Sequence, residues 1–80
     1  MQDTVTGRIR KIVAAVLSLP EDEVTAEASA ATIAAWDSLA TIKIVMAVEG
    51  EFGVEFNEEI IPRLLSIEAL CRNLAAMAPQ

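Results

Sequence analysis

The sequence predicts an all-α fold, a four-helix bundle with three longer helices and one short third helix. Two observations lead there. Apolar residues recur at three- and four-residue spacing along separate segments, and those segments are bounded by Pro20, Gly53 and Pro79 or by residues suited to capping a helix. The chain has 80 residues, which suits one domain over its whole length; folding at that size buries only roughly 60% of the surface that the unfolded chain exposes. A deep catalytic cleft is not expected of so small a core.

The first helix is predicted over about Asp3 to Leu19. Val5, Ile9, Ile12, Val13, Val16 and Leu17 follow the spacing of one helical face, with Thr6, Arg10, Lys11 and Ser18 on the other. Asp3 or Thr4 can accept from the first free amides. Pro20 ends the helix, because its ring disfavours helical geometry at the residue before it. Glu21 to Trp36 mixes acids with alanine, serine and threonine and shows little periodicity. A long loop is predicted there, with a short turn around Ala30 to Ala35. Connections of this length tend to be functional or to cross from one end of a bundle to the other.

The second helix is predicted to begin at Asp37 or Ser38, either of which can cap it, and to close near Phe52-Gly53, where glycine suits a left-handed residue. Ile44, Val48 and Phe52, with Thr41 and Val45 alongside, form its core face. Leu39, Ile42 and Met46 lie on an adjacent row and make a second apolar stripe. Either the third helix or the long loop covers that stripe, or a ligand or partner does. Asn57 then caps a short helix from Glu58 to Leu64, with Glu58 and Glu59 in its favourable first turn and Pro62 limiting it to a turn or two. Ser66 caps the last helix, where Ile67, Leu70, Cys71, Leu74 and Met77 or Ala78 repeat until Pro79.

Composition excludes several functions. Hydrophobic residues make up 54% of the chain, yet no apolar run approaches the ~18 residues of a membrane span. Asp3, Arg8, Arg10 and Lys11 interrupt the apolar positions near the N-terminus, unlike a secretory signal, so the cytoplasm is the expected compartment. Met1 suits a free-standing product. Twelve acidic and six basic residues give a net charge of −6, which repels a nucleic-acid backbone. Between Asp37 and Glu59 only Lys43 opposes Asp37, Glu49, Glu51, Glu55, Glu58 and Glu59. That acidic stretch either serves solubility or meets a basic partner. The chain has no histidine, so histidine-assisted nucleophiles and histidine metal sites are ruled out. No metal site is expected, and an enzyme is not. Cys71 cannot form an internal disulfide and reads as a small core residue.

The hydroxyl of Ser38 is the main candidate site. At a helix N-terminus, free amides and the positive end of the macrodipole favour bound negative charge, so a phosphodiester on Oγ is tolerated there. Asp37 opposes that charge locally but could help hold a metal ion used by a modifying enzyme. The plain alternative is a small helical protein-interaction module in which Ser38 is only a helix cap and the extra apolar stripe binds a partner. Residue physics leaves both open.

From Trp36 to Leu74 the chain resembles the acyl carrier proteins. The resemblance rests on Asp37-Ser38-Leu39, on Ile44-Val45-Met46-Ala47-Val48-Glu49, on Glu51-Phe52-Gly53-Val54-Glu55-Phe56, and on Ser66-Ile67-Glu68-Ala69-Leu70. It implies an acyl-carrier-like bundle whose Ser38 receives 4′-phosphopantetheine from coenzyme A through a magnesium-dependent phosphopantetheinyl transferase. Asp37 and Leu39 flank the attachment point. The arm would hold an acyl or aminoacyl group as a thioester and present it to loading and transferring enzymes. Partner recognition would fall to Ile42, Met46, Glu49 and Glu51, with Asp37 adding charge, in weak and salt-sensitive encounters. A monomer is the expected state. Trp36 would anchor the loop on the bundle. Three residues depart from the family's pattern: Ala34-Ala35-Trp36 stands where a glycine is common, and Ala40 and Lys43 stand where acids are common. The acidic face is thinned, which favours a dedicated pathway over general fatty-acid synthesis.

Overall fold

The structure is a computed structural model that describes residues 5–77, apart from the side chain of Met77. Three α-helices carry the fold: α1 (Val5–Leu17), α2 (Ser38–Phe52) and α3 (Ile67–Met77). No strand occurs among the described residues; a single antiparallel bridge pairs Ser29 with Ser66. The expected caps at Asp3 or Thr4 and the stop at Pro79 lie outside the described residues, as does Ala78.

α1 packs against both α2 and α3. Ile9, Val13, Ala14 and Leu17 of α1, Ala40, Ile44, Val45 and Val48 of α2, and Ile67, Leu70 and Leu74 of α3 join Val24, Ala28, Trp36, Phe56 and Leu64 in one buried cluster. Each fully buried Leu or Ile there stabilises the fold by about 1.5–3 kcal/mol relative to exposure. Phe52, expected on the core face of α2, is only half-buried, and Val5 is exposed. Cys71 is half-buried against the cluster, its Sγ 3.5 Å from Thr6 Oγ1.

α1 ends earlier than Pro20 alone would require. Ser18 takes a left-handed conformation at φ 58°, its amide donates to Ala15 O at 3.3 Å and the Leu19 amide donates to Ala14 O at 2.9 Å. Those two bonds satisfy carbonyls that the last turn leaves free, and they close the helix at Leu17. The chain ends α2 in the same way: Gly53 sits at φ 66°, and the amides of Gly53 and Val54 both donate to Glu49 O.

The long loop is fastened at three places. Glu21–Glu23 form a single 3-10 turn, and the Arg10 side chain donates to the carbonyls of Val24 and Glu21. Val24 and Ala28 insert into the core. Around Ser29 the loop meets the start of α3, with Ala30 N donating to Leu65 O at 2.8 Å and Ile67 N to Ala28 O at 3.0 Å. The expected turn near Ala30 to Ala35 exists, closed by Ile33 N to Ser29 O and Trp36 N to Ile33 O.

The short third α-helix is replaced by a run of tighter turns. Between Asn57 and Leu64 the amides of Ile60, Ile61, Arg63 and Leu64 each donate to a carbonyl three residues back, and only Ile61–Arg63 forms a 3-10 helix. Pro62 accounts for this. In an α-helix its missing N–H would have bonded Glu58 O, and its ring would press on that carbonyl; the three-residue pattern avoids both. Asn57 does cap the turn as expected, its Oδ1 accepting from Glu59 N at 2.8 Å, and Ser66 Oγ caps α3 through Ala69 N at 2.9 Å.

The two left-handed helix ends predict opposite responses. Ser18→Gly should raise the unfolding free energy by about 1 kcal/mol, because a Cβ is disfavoured at positive φ. Gly53→Ala should lower it by about 1–2 kcal/mol for the same reason. Urea denaturation of both variants measures the pair.

Candidate functional site

Ser38 is the first residue of α2, and Asp37 is the cap. Asp37 holds extended backbone at φ −97° and ψ −170°, and its Oδ1 accepts from Ala40 N at 2.8 Å. The reading of Ser38 as only a helix cap is therefore corrected. Aspartate in the residue before the helix has the geometry to reach the third amide, whereas a side chain already inside the first turn points away from it. Ser38 is exposed, and its Oγ makes no hydrogen bond among the described residues. The amides of Ser38 and Leu39 have no acceptor within the helix, so the positive end of α2 stays open beside that hydroxyl.

A chain of hydrogen bonds fixes this helix end to the loop. Trp36 is buried, and its indole Nε1 donates to Thr41 Oγ1 at 3.0 Å. Thr41, also buried, donates its hydroxyl to Asp37 O at 3.0 Å, and the Thr41 amide reaches the same carbonyl at 2.9 Å. Trp36 anchors the loop as expected. Thr41 entered the sequence reading as a core-face residue, but its hydroxyl joins the loop to the helix, and no described buried side-chain nitrogen or oxygen is left without a partner.

A cleft of about 520 Å³ opens beside Ser38, lined by Ser38, Thr41, Ile42, Glu58, Ile61, Pro62 and Leu65. The turns around Pro62 form its far wall. Ile61, Pro62 and Leu65 were missed as site residues, because their sequence signal is indistinguishable from core packing. A proline that breaks a would-be helix directly ahead of Leu64-Leu65 is the feature that could have drawn attention to them. A groove of about 450 Å³ at the other end of the fold lies among Val5, Thr6, Phe52, Val54, Cys71, Leu74 and Ala75.

Of the stripe on α2, Leu39 is 60%, Ile42 48% and Met46 64% exposed. Neither the loop nor the Pro62 segment covers Leu39 or Met46, while Ile42 forms part of the cleft wall. Glu49 and Glu51 are engaged within the chain. Glu49 Oε2 accepts from Phe56 N at 2.8 Å. Glu51 Oε2 pairs with Arg8 at 2.6 Å, and the Arg8 guanidinium also sits 4.4 Å from the centre of the Phe52 ring. Among the described residues no group of three or more His, Cys, Asp or Glu side chains could hold a metal ion, and no helix is long and apolar enough to cross a membrane.

The hydrogen bonds predict a division of labour between neighbours. Asp37→Ala should cost about 0.5–2 kcal/mol of stability, whereas Ser38→Ala should change it far less, since Oγ caps nothing. Thr41→Val should cost about 1–3 kcal/mol by stranding the indole N–H in the core. Thermal and urea unfolding of the three variants, read with tryptophan fluorescence, tests the ranking.

A family described as a phosphopantetheine attachment site matches residues 7–74. Its covalent cofactor is 4′-phosphopantetheine.

Proposed function

We propose, from the premise that this chain belongs to the phosphopantetheine attachment family, that it is a carrier whose arm is joined to Ser38 Oγ. The observation that supports this reading most directly is the division between Asp37, which caps α2, and Ser38, which is exposed with its Oγ uncommitted beside an apolar cleft. In attachment, a transferase forms the bond between Oγ and the phosphorus that carries the arm. The pyrophosphate of coenzyme A breaks, and adenosine 3′,5′-bisphosphate leaves. The hydroxyl proton goes to a base on the transferase, since no side chain among the described residues hydrogen-bonds Oγ. The resulting phosphodiester lies at the open positive end of α2.

The group supplies a terminal thiol that holds an acyl or aminoacyl cargo as a thioester. The chain's own residues present it. Leu39 flanks the attachment point, Ile42 and the cleft offer an apolar lee beside it, and Leu39 and Met46 stand outward to meet loading and transferring enzymes. Glu49 and Glu51, the acids proposed for partner recognition, each commit one carboxylate oxygen inside the chain, so they offer a partner a weakened negative field. That, with Ala40 and Lys43 in place of acids, supports service in a specialised biosynthetic pathway. We place it there as a single-domain monomer of the cytoplasm, where coenzyme A is at hand; the net charge of −6 keeps copies apart.

Incubation with coenzyme A, magnesium and a broad-specificity phosphopantetheinyl transferase should raise the intact mass by one phosphopantetheine. Ser38→Ala should abolish the increase while leaving the circular dichroism spectrum unchanged. A folded wild-type sample that gains no mass would overturn the proposal.

A further inference from the structure

The cleft beside Ser38 has one free polar side chain in its wall. Ile42, Ile61, Pro62 and Leu65 present hydrocarbon to it. The Thr41 hydroxyl is engaged by the Trp36 indole and the Asp37 carbonyl, and on the carrier reading Ser38 Oγ bears the arm. That leaves Glu58. It is exposed, and its carboxylate makes no hydrogen bond or ion pair among the described residues.

The charge around Glu58 is of one sign. Glu58 also borders a neighbouring hollow lined by Glu55, Phe56, Asn57 and Glu59, where the carboxylates of Glu55 and Glu59 have no partner among the described residues. No lysine or arginine lines either hollow; Lys43 lines a different one, with Asp37, Leu39 and Ala40. Glu49 and Glu51, by contrast, are engaged within the chain. The uncommitted acids at the cleft therefore come from the 55–59 turn.

A pocket of apolar walls with a single free polar group orients its occupant by that group. A carboxylate in this place favours a hydrocarbon body that carries a cation, and it disfavours one that carries a carboxylate, because like charges would then be brought together. The occupant follows from connectivity. The arm is joined to Ser38 in the cleft wall itself, and a flexible arm can fold back and lay its cargo there. We propose that Glu58 selects the cargo, and that the cargo taken into the cleft is an aminoacyl group with an apolar side chain. Its hydrocarbon rests against Ile42, Ile61, Pro62 and Leu65, and its protonated α-amine faces Glu58. Acyl groups that end in a carboxylate are turned away. This rests on the carrier reading above and narrows it from acyl or aminoacyl groups to the second class.

Three cargoes that differ at one substituent test this: leucyl, isocaproyl and isobutylmalonyl, in which the α-carbon bears an ammonium, a hydrogen and a carboxylate. Each is joined to a coenzyme A analogue through a stable amide in place of the thioester, and attached to the full-length chain by the broad-specificity transferase. The methyl resonances of Ile61 and Leu65 are then compared with those of protein bearing the arm alone. Because Glu58 is exposed, the leucyl shifts should exceed the isocaproyl shifts by only about two- to fivefold, and the isobutylmalonyl shifts should be the smallest. Glu58→Gln, an exposed change that leaves the core untouched, should make the leucyl and isocaproyl shifts equal, and Glu58→Lys should put isobutylmalonyl first. Equal leucyl and isocaproyl shifts in the wild type, or an order that survives Glu58→Gln, overturns the selection while the carrier reading stands. So does a bare arm that fills the cleft and leaves nothing for a cargo to add. If no analogue attaches to folded wild-type protein, the carrier reading falls as well.

Discussion

The hydroxyl of Thr41 is the point on which the site depends. It accepts the indole N–H of Trp36 and donates to the carbonyl of Asp37, and so joins the end of a long loop to the first turn of the helix that follows. The largest side chain of the chain is thereby buried with its polar atom satisfied. Asp37 is held at extended backbone angles, where its carboxylate can reach the third amide of α2. With that position fixed, Ser38 is left at the mouth of the helix with its side chain outward. The loop is long because it must carry Trp36 to this place, and it is kept in order by Arg10 from α1 and by the two amide bonds around Ser29 and Ser66.

The helices and several of their ends were legible in the sequence, for physical reasons that act locally. The apolar faces of α1, α2 and α3 follow the helical period, Gly53 offers an inexpensive left-handed residue, and Asn57 and Ser66 cap what comes after them. Ser18 was not legible as a helix end, because serine carries no preference for positive φ; the hydrogen bonds of the final turn impose it. The sequence predicts a short helix from Glu58 to Leu64 in the Pro62 segment, whereas only Ile61–Arg63 is helical, as a 3-10 turn. Proline's lost donor signals a limit on length, but only the carbonyl pattern shows that the segment adopts three-residue turns throughout.

At the candidate site, the position of Ser38 near the mouth of α2 was available from sequence, while its surroundings were decided by contacts between distant residues. Arg8 and Glu51 are 43 positions apart, and neither spacing nor composition indicates that one neutralises the other. The same holds for the Phe56 amide that occupies Glu49. A count of acids between Asp37 and Glu59 overstates the negative charge shown by α2, because a carboxylate tied to a guanidinium or an amide within the chain contributes less to the outer field. The exposure of Leu39 and Met46 was likewise a question of whether the loop returned over them, and the loop's fastening to α3 draws it elsewhere.

If Ser38 is the attachment point proposed above, the separation of Asp37 from Ser38 bears on how the protein would behave over repeated rounds of use. A residue that both capped the helix and bore a substituent would change the folding equilibrium each time the substituent came or went. Here the cap belongs to a neighbour, and no hydrogen bond on which the helix relies involves Ser38 Oγ. The cap of α2 would therefore survive substitution at Oγ, and what would change at the helix end is the charge that its macrodipole meets. On the carrier reading, an enzyme that tells the two forms apart would have to read the appendage, because no hydrogen bond that caps α2 changes with it.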